Sequence, residues 1–83
     1  MKLLYFAWLK TKTGIAEEEV SPPVEVTNVG ELLTWLKDRG PGYAEALADL
    51  QVIKVAVNQT YADPDHPVKA GDEVALFPPV TGG

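Results

Sequence analysis

Glu73-Val74-Ala75-Leu76-Phe77-Pro78-Pro79-Val80-Thr81-Gly82-Gly83 closes an 83-residue chain with an apolar strand-like run, a proline pair and a glycine-ended tail. Proline has no N–H for a sheet ladder and a fixed φ, so Pro78-Pro79 ends strand pairing and stiffens the exit. Alternation along the run sends Val74 and Leu76 to one face and Glu73, Ala75 and Phe77 to the other. An unpaired buried carboxylate is expensive, which makes the Glu73 face the solvent side and predicts that Val74 and Leu76 pack on a helix. Beyond the prolines, Val80, Thr81, Gly82 and Gly83 are too few and too small to build a core element. They read as a narrow, flexible tail ending in a carboxylate, a shape suited to entering another protein's active site. A frayed terminus or a cloning scar is the bland alternative. Chance alone gives two terminal glycines only about once in 200 chains, at an average usage of ~7%.

Working outward, the opposite end of the chain supplies a matching strand. Lys2 to Leu9 is apolar on both faces, with Leu3, Tyr5, Ala7 and Leu9 on one and Leu4, Phe6 and Trp8 on the other. Lys2 marks the Leu4, Phe6, Trp8 face as the outer one. Thr11 to Gly14 reads as a turn. Glu17 to Val26 reads as a weaker strand that Pro22-Pro23 confine to an edge or bulge, with Glu17-Glu18-Glu19 as a solvated face or edge guard. Next comes the main helix, where Val29, Leu32, Leu33 and Leu36 recur at i, i+3, i+4 and i+7. Asn28 as N-cap and Glu31 three residues on resemble a capping box, and Gly40 with Pro41-Gly42 ends the helix. Tyr43 to Leu50 suggests a short second helix and Ile53 to Val57 a strand. Asn58-Gln59 reads as a turn, Ala62 to Pro67 as a loop, and Ala70-Gly71-Asp72 as a tight turn into the last strand.

This order predicts an α+β, β-grasp (ubiquitin-like) fold: a mixed sheet of about five strands, one main helix on one face and a short second helix. The first and last strands, both strongly apolar, are expected side by side at the centre as a parallel pair crossed over by the helix. Residues 1–79 would form a single domain and residues 80–83 the tail.

Composition narrows the function. At 46% hydrophobic residues one modest core is affordable, but a chain this size buries only about 60–65% of its unfolded surface, so marginal stability without a partner is expected. There is no cysteine, which excludes disulfides, thiolate metal sites and a thiol nucleophile; any sulfur chemistry must import its sulfur. A net charge of -5 argues against nucleic acid and for a basic protein surface as partner. Met1-Lys2 runs into the first strand without a signal peptide and no run approaches a membrane span, so the expectation is a soluble cytoplasmic protein with no membrane partner. His66, between Asp65 and Pro67, reads as a loop residue rather than a catalyst. Asp63 and Asp65 fit turn chemistry and lack the glycine and glutamate of a calcium loop. With no nucleophile–base pair, phosphate loop or metal cluster, the chain is not expected to be an enzyme on its own. Phe6 and Phe77 should lie on the outer face near the tail exit, either as an interaction surface or beneath a loop such as the one carrying Tyr61.

Val57-Asn58-Gln59-Thr60, Asp65-His66-Pro67 and the run from Gly71 to Gly83 closely resemble the small subunits of molybdopterin synthase, the MoaD-type sulfur carriers. The likeness covers the whole chain in length and element order, is most specific in the last third, and includes Phe6-Ala7. Nothing carries over between Thr11 and Pro23 or around Pro41. The resemblance implies a sulfur carrier that holds no cofactor or metal of its own. A ubiquitin-activating-type adenylating enzyme would spend ATP on the Gly83 carboxylate, and sulfur would displace AMP to leave a thiocarboxylate. Val80, Thr81 and Gly82 would then lead Gly83 into the large subunit of a heterotetrameric synthase. There, two deliveries convert cyclic pyranopterin monophosphate into the dithiolene of molybdopterin, with the catalytic side chains on the large subunit. The resemblance also implies large-subunit contacts at Phe6, Tyr61 and Phe77, beside Pro78 and Pro79. Glycine at the last two positions fits this use, because a channel too narrow for a Cβ can still pass a glycine. The alternatives are a carrier for thiamine or tRNA thiolation and a non-catalytic ubiquitin-like binding module.

Overall fold

Strand β1 (Lys2–Tyr5) and strand β5 (Glu73–Phe77) lie side by side and parallel, pairing Lys2 with Glu73 and Tyr5 with Leu76. The structure is a computed structural model that describes residues 1–79; the expectations for Val80, Thr81, Gly82 and Gly83 lie outside the described residues. Three further strands complete the sheet: β2 (Glu17–Glu19), β3 (Lys54–Val57) and β4 (Thr60–Tyr61). Their order is β2-β1-β5-β3-β4, with every pair except β1–β5 antiparallel. This is the predicted β-grasp sheet, with its two most apolar strands next to each other.

Three helices accompany the sheet: α1 (Trp8–Thr13), α2 (Val29–Lys37) and α3 (Pro41–Ala46), with a 3-10 turn at Leu50–Val52. The α2 stripe of Val29, Leu32, Leu33 and Leu36 shares one core with Leu3, Val55, Val57, Val74 and Leu76. Val74 and Leu76 are wholly buried, while Phe77 stays outside that core, as strand alternation requires. Asn28 caps α2 as expected, its Oδ1 accepting the Glu31 N–H at 2.8 Å. The reciprocal half of the box reaches one residue further back, with Glu31 Oε1 accepting from both the N–H and the hydroxyl of Thr27.

Several local expectations need correction. The first strand stops at Tyr5 rather than Leu9, because Ala7 adopts φ 54, ψ -131 and the Leu9 N–H turns back to the Phe6 carbonyl at 3.1 Å. That turn opens α1, so Trp8 and Leu9 are helical and Thr11 to Gly14 is the end of a helix. Apolar content without clean alternation cannot separate a strand from a buried helical turn. Leu9 is fully buried from α1. Close approach of α1 and α3 depends on Gly42, where a Cβ would lie 2.5 Å from the Lys12 carbonyl oxygen. The weak strand shrinks to Glu17–Glu19, after which the chain runs irregularly through Pro22-Pro23. The second helix ends at Ala46 instead of Leu50, and Tyr61 belongs to a two-residue strand rather than to a covering loop. Asn58 and Gln59 both have positive φ (51 and 72), the left-handed pair of a two-residue hairpin turn.

Candidate functional site

Residues paired across a sheet share a face, so the registers define what the outer surface presents. One row crosses the middle as Glu17, Leu4, Ala75, Ala56 and Tyr61. A row toward the β1 start carries Glu19, Lys2 and Glu73, with Lys2 Nζ 3.3 Å from Glu17. On the other side, toward Pro78, Lys54 sits opposite Phe77, and Phe6 extends the row from the end of β1. The outer face is thus charged at one end and aromatic at the other. Ala75 and Ala56, each 8% exposed, form its shallow centre.

At the aromatic end Phe6 and Phe77 stack with ring centroids 4.6 Å apart and planes 9° from parallel. Tyr61 joins at 6.3 Å from Phe77, tilted by 59°. Phe6 is 42% and Tyr61 74% exposed, and no element among the described residues covers them. The Phe6 N–H bonds the Leu76 carbonyl at 3.2 Å, continuing the β1–β5 ladder one step beyond Tyr5. Pro78 and Pro79 follow Phe77 directly and are half-buried. Of the residues expected at a docking patch, Phe6, Phe77 and Tyr61 are therefore brought together on one face, with Pro78 and Pro79 next to Phe77 in the chain. Trp8, expected on this face by alternation, is instead carried off by α1 and joins no aromatic pair among the described residues.

Other candidates resolve into structural roles. His66 is exposed; its carbonyl accepts the Val29 N–H at 3.0 Å, where α2 begins. No group of His, Asp and Glu among the described residues is arranged to hold a metal ion. Asp72 is buried and accepts from Asn58 Nδ2 at 3.1 Å and the Lys69 N–H at 2.9 Å, clasping the hairpin turn to the start of β5. Burial would raise its carboxyl pKa, but these two bonds outweigh that and hold it below the ordinary value.

The sequence did not reveal that Glu18 points inward. Its carboxylate accepts from the hydroxyls of Tyr5 (2.7 Å) and Tyr43 (2.8 Å) and pairs with Arg39 at 2.9 Å. The Arg39 guanidinium lies 5.3 Å from the Trp35 ring and 5.1 Å from the Tyr43 ring. Burial pushes the Glu18 pKa up, yet the bonds from Tyr5, Tyr43 and Arg39 win and keep it ionised below its usual range. Burial first, then the Glu18 carboxylate, raises the Tyr5 phenol far above its normal value. Of the three glutamates read as an edge guard, only Glu17 and Glu19 are solvated. Only the alternation of β2 hinted at this, since the middle residue of a three-residue edge must face the other way.

Residues 3–83 match the ThiS family model. The chain belongs to the ThiS family. Among its relatives is the molybdopterin synthase sulfur carrier subunit of Escherichia coli (strain K12), 40% identical over 83 residues, covering all of this chain and 99% of the relative. The ThiS-family fold is equally visible in solved structures. SAMP1 from Haloferax volcanii superimposes with a TM-score of 0.75 at 32% identity, over 100% of this chain and 98% of SAMP1. The Helicobacter pylori complex of subunits 1 and 2 of molybdopterin-converting factor contains a chain similar at TM-score 0.63 and 26% identity, over 99% of this chain and 96% of that one. No helix among the described residues of this ThiS-family chain is long and apolar enough to cross a membrane.

Proposed function

We propose that this chain is the sulfur carrier subunit of molybdopterin synthase, working in the cytoplasm. The observation that carries the reading is the partly exposed Phe6–Phe77 stack, in a chain whose sequence ends Gly82-Gly83 and that the family model matches through residue 83. Identity of 40% to a carrier subunit over essentially its whole length supports it, as does the likeness to a chain solved in complex with its subunit 2. By that analogy the aromatic face seats on the large subunit, and the residues after Pro79 lead Gly83 to the reacting centre.

The chemistry then divides cleanly. An adenylating partner joins a Gly83 carboxylate oxygen to the α-phosphorus of ATP and releases pyrophosphate. The mixed anhydride turns a poor electrophile into a good one, and a sulfur donor displaces AMP to form the thiocarboxylate. This chain contributes reach and slimness: Gly82 and Gly83 add length without side-chain width. The acceptor pterin is bound and positioned by the large subunit in a heterotetrameric assembly.

A reconstituted system of adenylating enzyme, ATP, sulfur donor, large subunit and cyclic pyranopterin monophosphate tests the reading. Deleting Gly83 draws the carboxylate back by about 3.5 Å, and a misplacement of about 1 Å already costs on the order of a hundredfold in rate. Gly82→Val keeps the reach but brings a branched side chain into a passage shaped for none. Both variants should lose molybdopterin formation; full activity of the Gly83 deletion would end the proposal.

A further inference from the structure

The outer face does not share the sign of the whole chain. Net charge is -5, yet the acids of this face, Glu17, Glu19 and Glu73, belong to the middle row and the row toward the β1 start. The aromatic end carries a cation instead. Lys54 pairs directly with Phe77 across β3 and β5, which places its side chain on the same face as the stacked ring. Lys54 is exposed and, like Lys10, Lys37 and Lys69, makes no ion pair among the described residues, whereas Lys2, the other lysine of these outer-face rows, is bridged to Glu17. Asp63 shares a groove with Lys54 beside Tyr61 but lies outside ion-pair distance.

We infer that Lys54 is a specificity-determining residue of the docking face, reading a carboxylate on the protein that seats against Phe6 and Phe77. The inference rests on the carrier reading above and names the chemistry of the partner's rim: an apolar seat for the two rings, flanked by an Asp or Glu. A lysine stem can lie along the aromatic patch while its ammonium stays at the edge. A charge in that position acts mainly on the rate of encounter and on the rejection of wrongly charged partners. A partner surface chosen to complement the overall negative charge would present a cation here and be repelled.

The test measures association kinetics of the full chain with the large subunit from the same organism, at about 50 mM and about 1 M salt, where screening reaches ~3 Å. Lys54→Glu should associate roughly tenfold more slowly at low salt, with the gap closing at high salt. Lys54→Arg should match the parent, and Lys54→Met should lose much of the salt dependence while keeping the stem. Parental association by Lys54→Glu at low salt, or a deficit that salt does not relieve, overturns the inference. Should Lys54→Glu lose stability, the Lys54→Met salt slope decides, and a slope equal to the parent's overturns it. Failure of the unmutated chain to bind the large subunit at either salt would instead bring down the carrier reading itself.

Discussion

Phe6, just past the end of β1, and Phe77, the last residue of β5, stack 4.6 Å apart on the sheet face turned away from α2. The contact joins the two ends of the chain, because β1 and β5 are parallel neighbours and finish together. Since neither ring belongs to the core, their apolar surface is available to a partner.

Phe77→Asp should therefore leave the fold intact and cripple docking. Placing a charge in a desolvated aromatic contact costs about 2 kcal/mol or more, a loss of roughly thirtyfold in affinity. Circular dichroism and a titration against the large subunit check both halves. An unfolded variant would contradict the placement of Phe77, and unchanged affinity would contradict its role.

Strand parity and helix spacing made most of this legible in the sequence. Val74, Leu76 and Phe77 were separated correctly by alternation alone, and the Val29, Leu32, Leu33, Leu36 stripe located α2. What stayed hidden depended on tertiary partners. Leu9 suits a strand or a helix equally well, and only the reversal at Ala7 decides. Glu18 belongs to a run that reads as solvated, and it is half-buried because Tyr5, Tyr43 and Arg39 converge on it from three other parts of the chain. Lys54 was just one lysine in a strand until the register placed it opposite Phe77.

The Glu18 cluster makes stability depend on acid in a defined direction. Its folded pKa lies below the ordinary 4.5, so its contribution is complete above that value and is lost as pH falls through the lowered pKa. Glu18→Gln gives up charge-assisted bonds to two hydroxyls and a guanidinium, a loss of about 1–3 kcal/mol at pH 7. In urea melts the difference between parent and variant should shrink as pH drops below about 4. A gap that stays constant into that range would show that the carboxylate's charge is not what holds the cluster.

Ala7 occupies a conformation that suits glycine, φ 54 and ψ -131, at the turn closed by the Leu9 N–H and the Phe6 carbonyl. Its side chain is exposed, so removing it forfeits little packing. Ala7→Gly relieves local strain at some cost in unfolded-chain entropy, with a net gain of up to about 1 kcal/mol. The melting temperature should rise by a few degrees; a fall would mean that the Ala7 methyl group makes a stabilising contact.

Whether Gly83 carries sulfur is the central question, and intact mass answers it. The protein purified from its own host, or incubated with the adenylating enzyme, ATP and a sulfur donor, should include a species heavier by the difference between one sulfur and one oxygen. Fragmentation should place that exchange on Gly83, and the Gly83 deletion treated identically should not show it there. A chain that keeps its carboxylate oxygens under both conditions, while the enzyme and donor charge an established carrier alongside, would contradict the account.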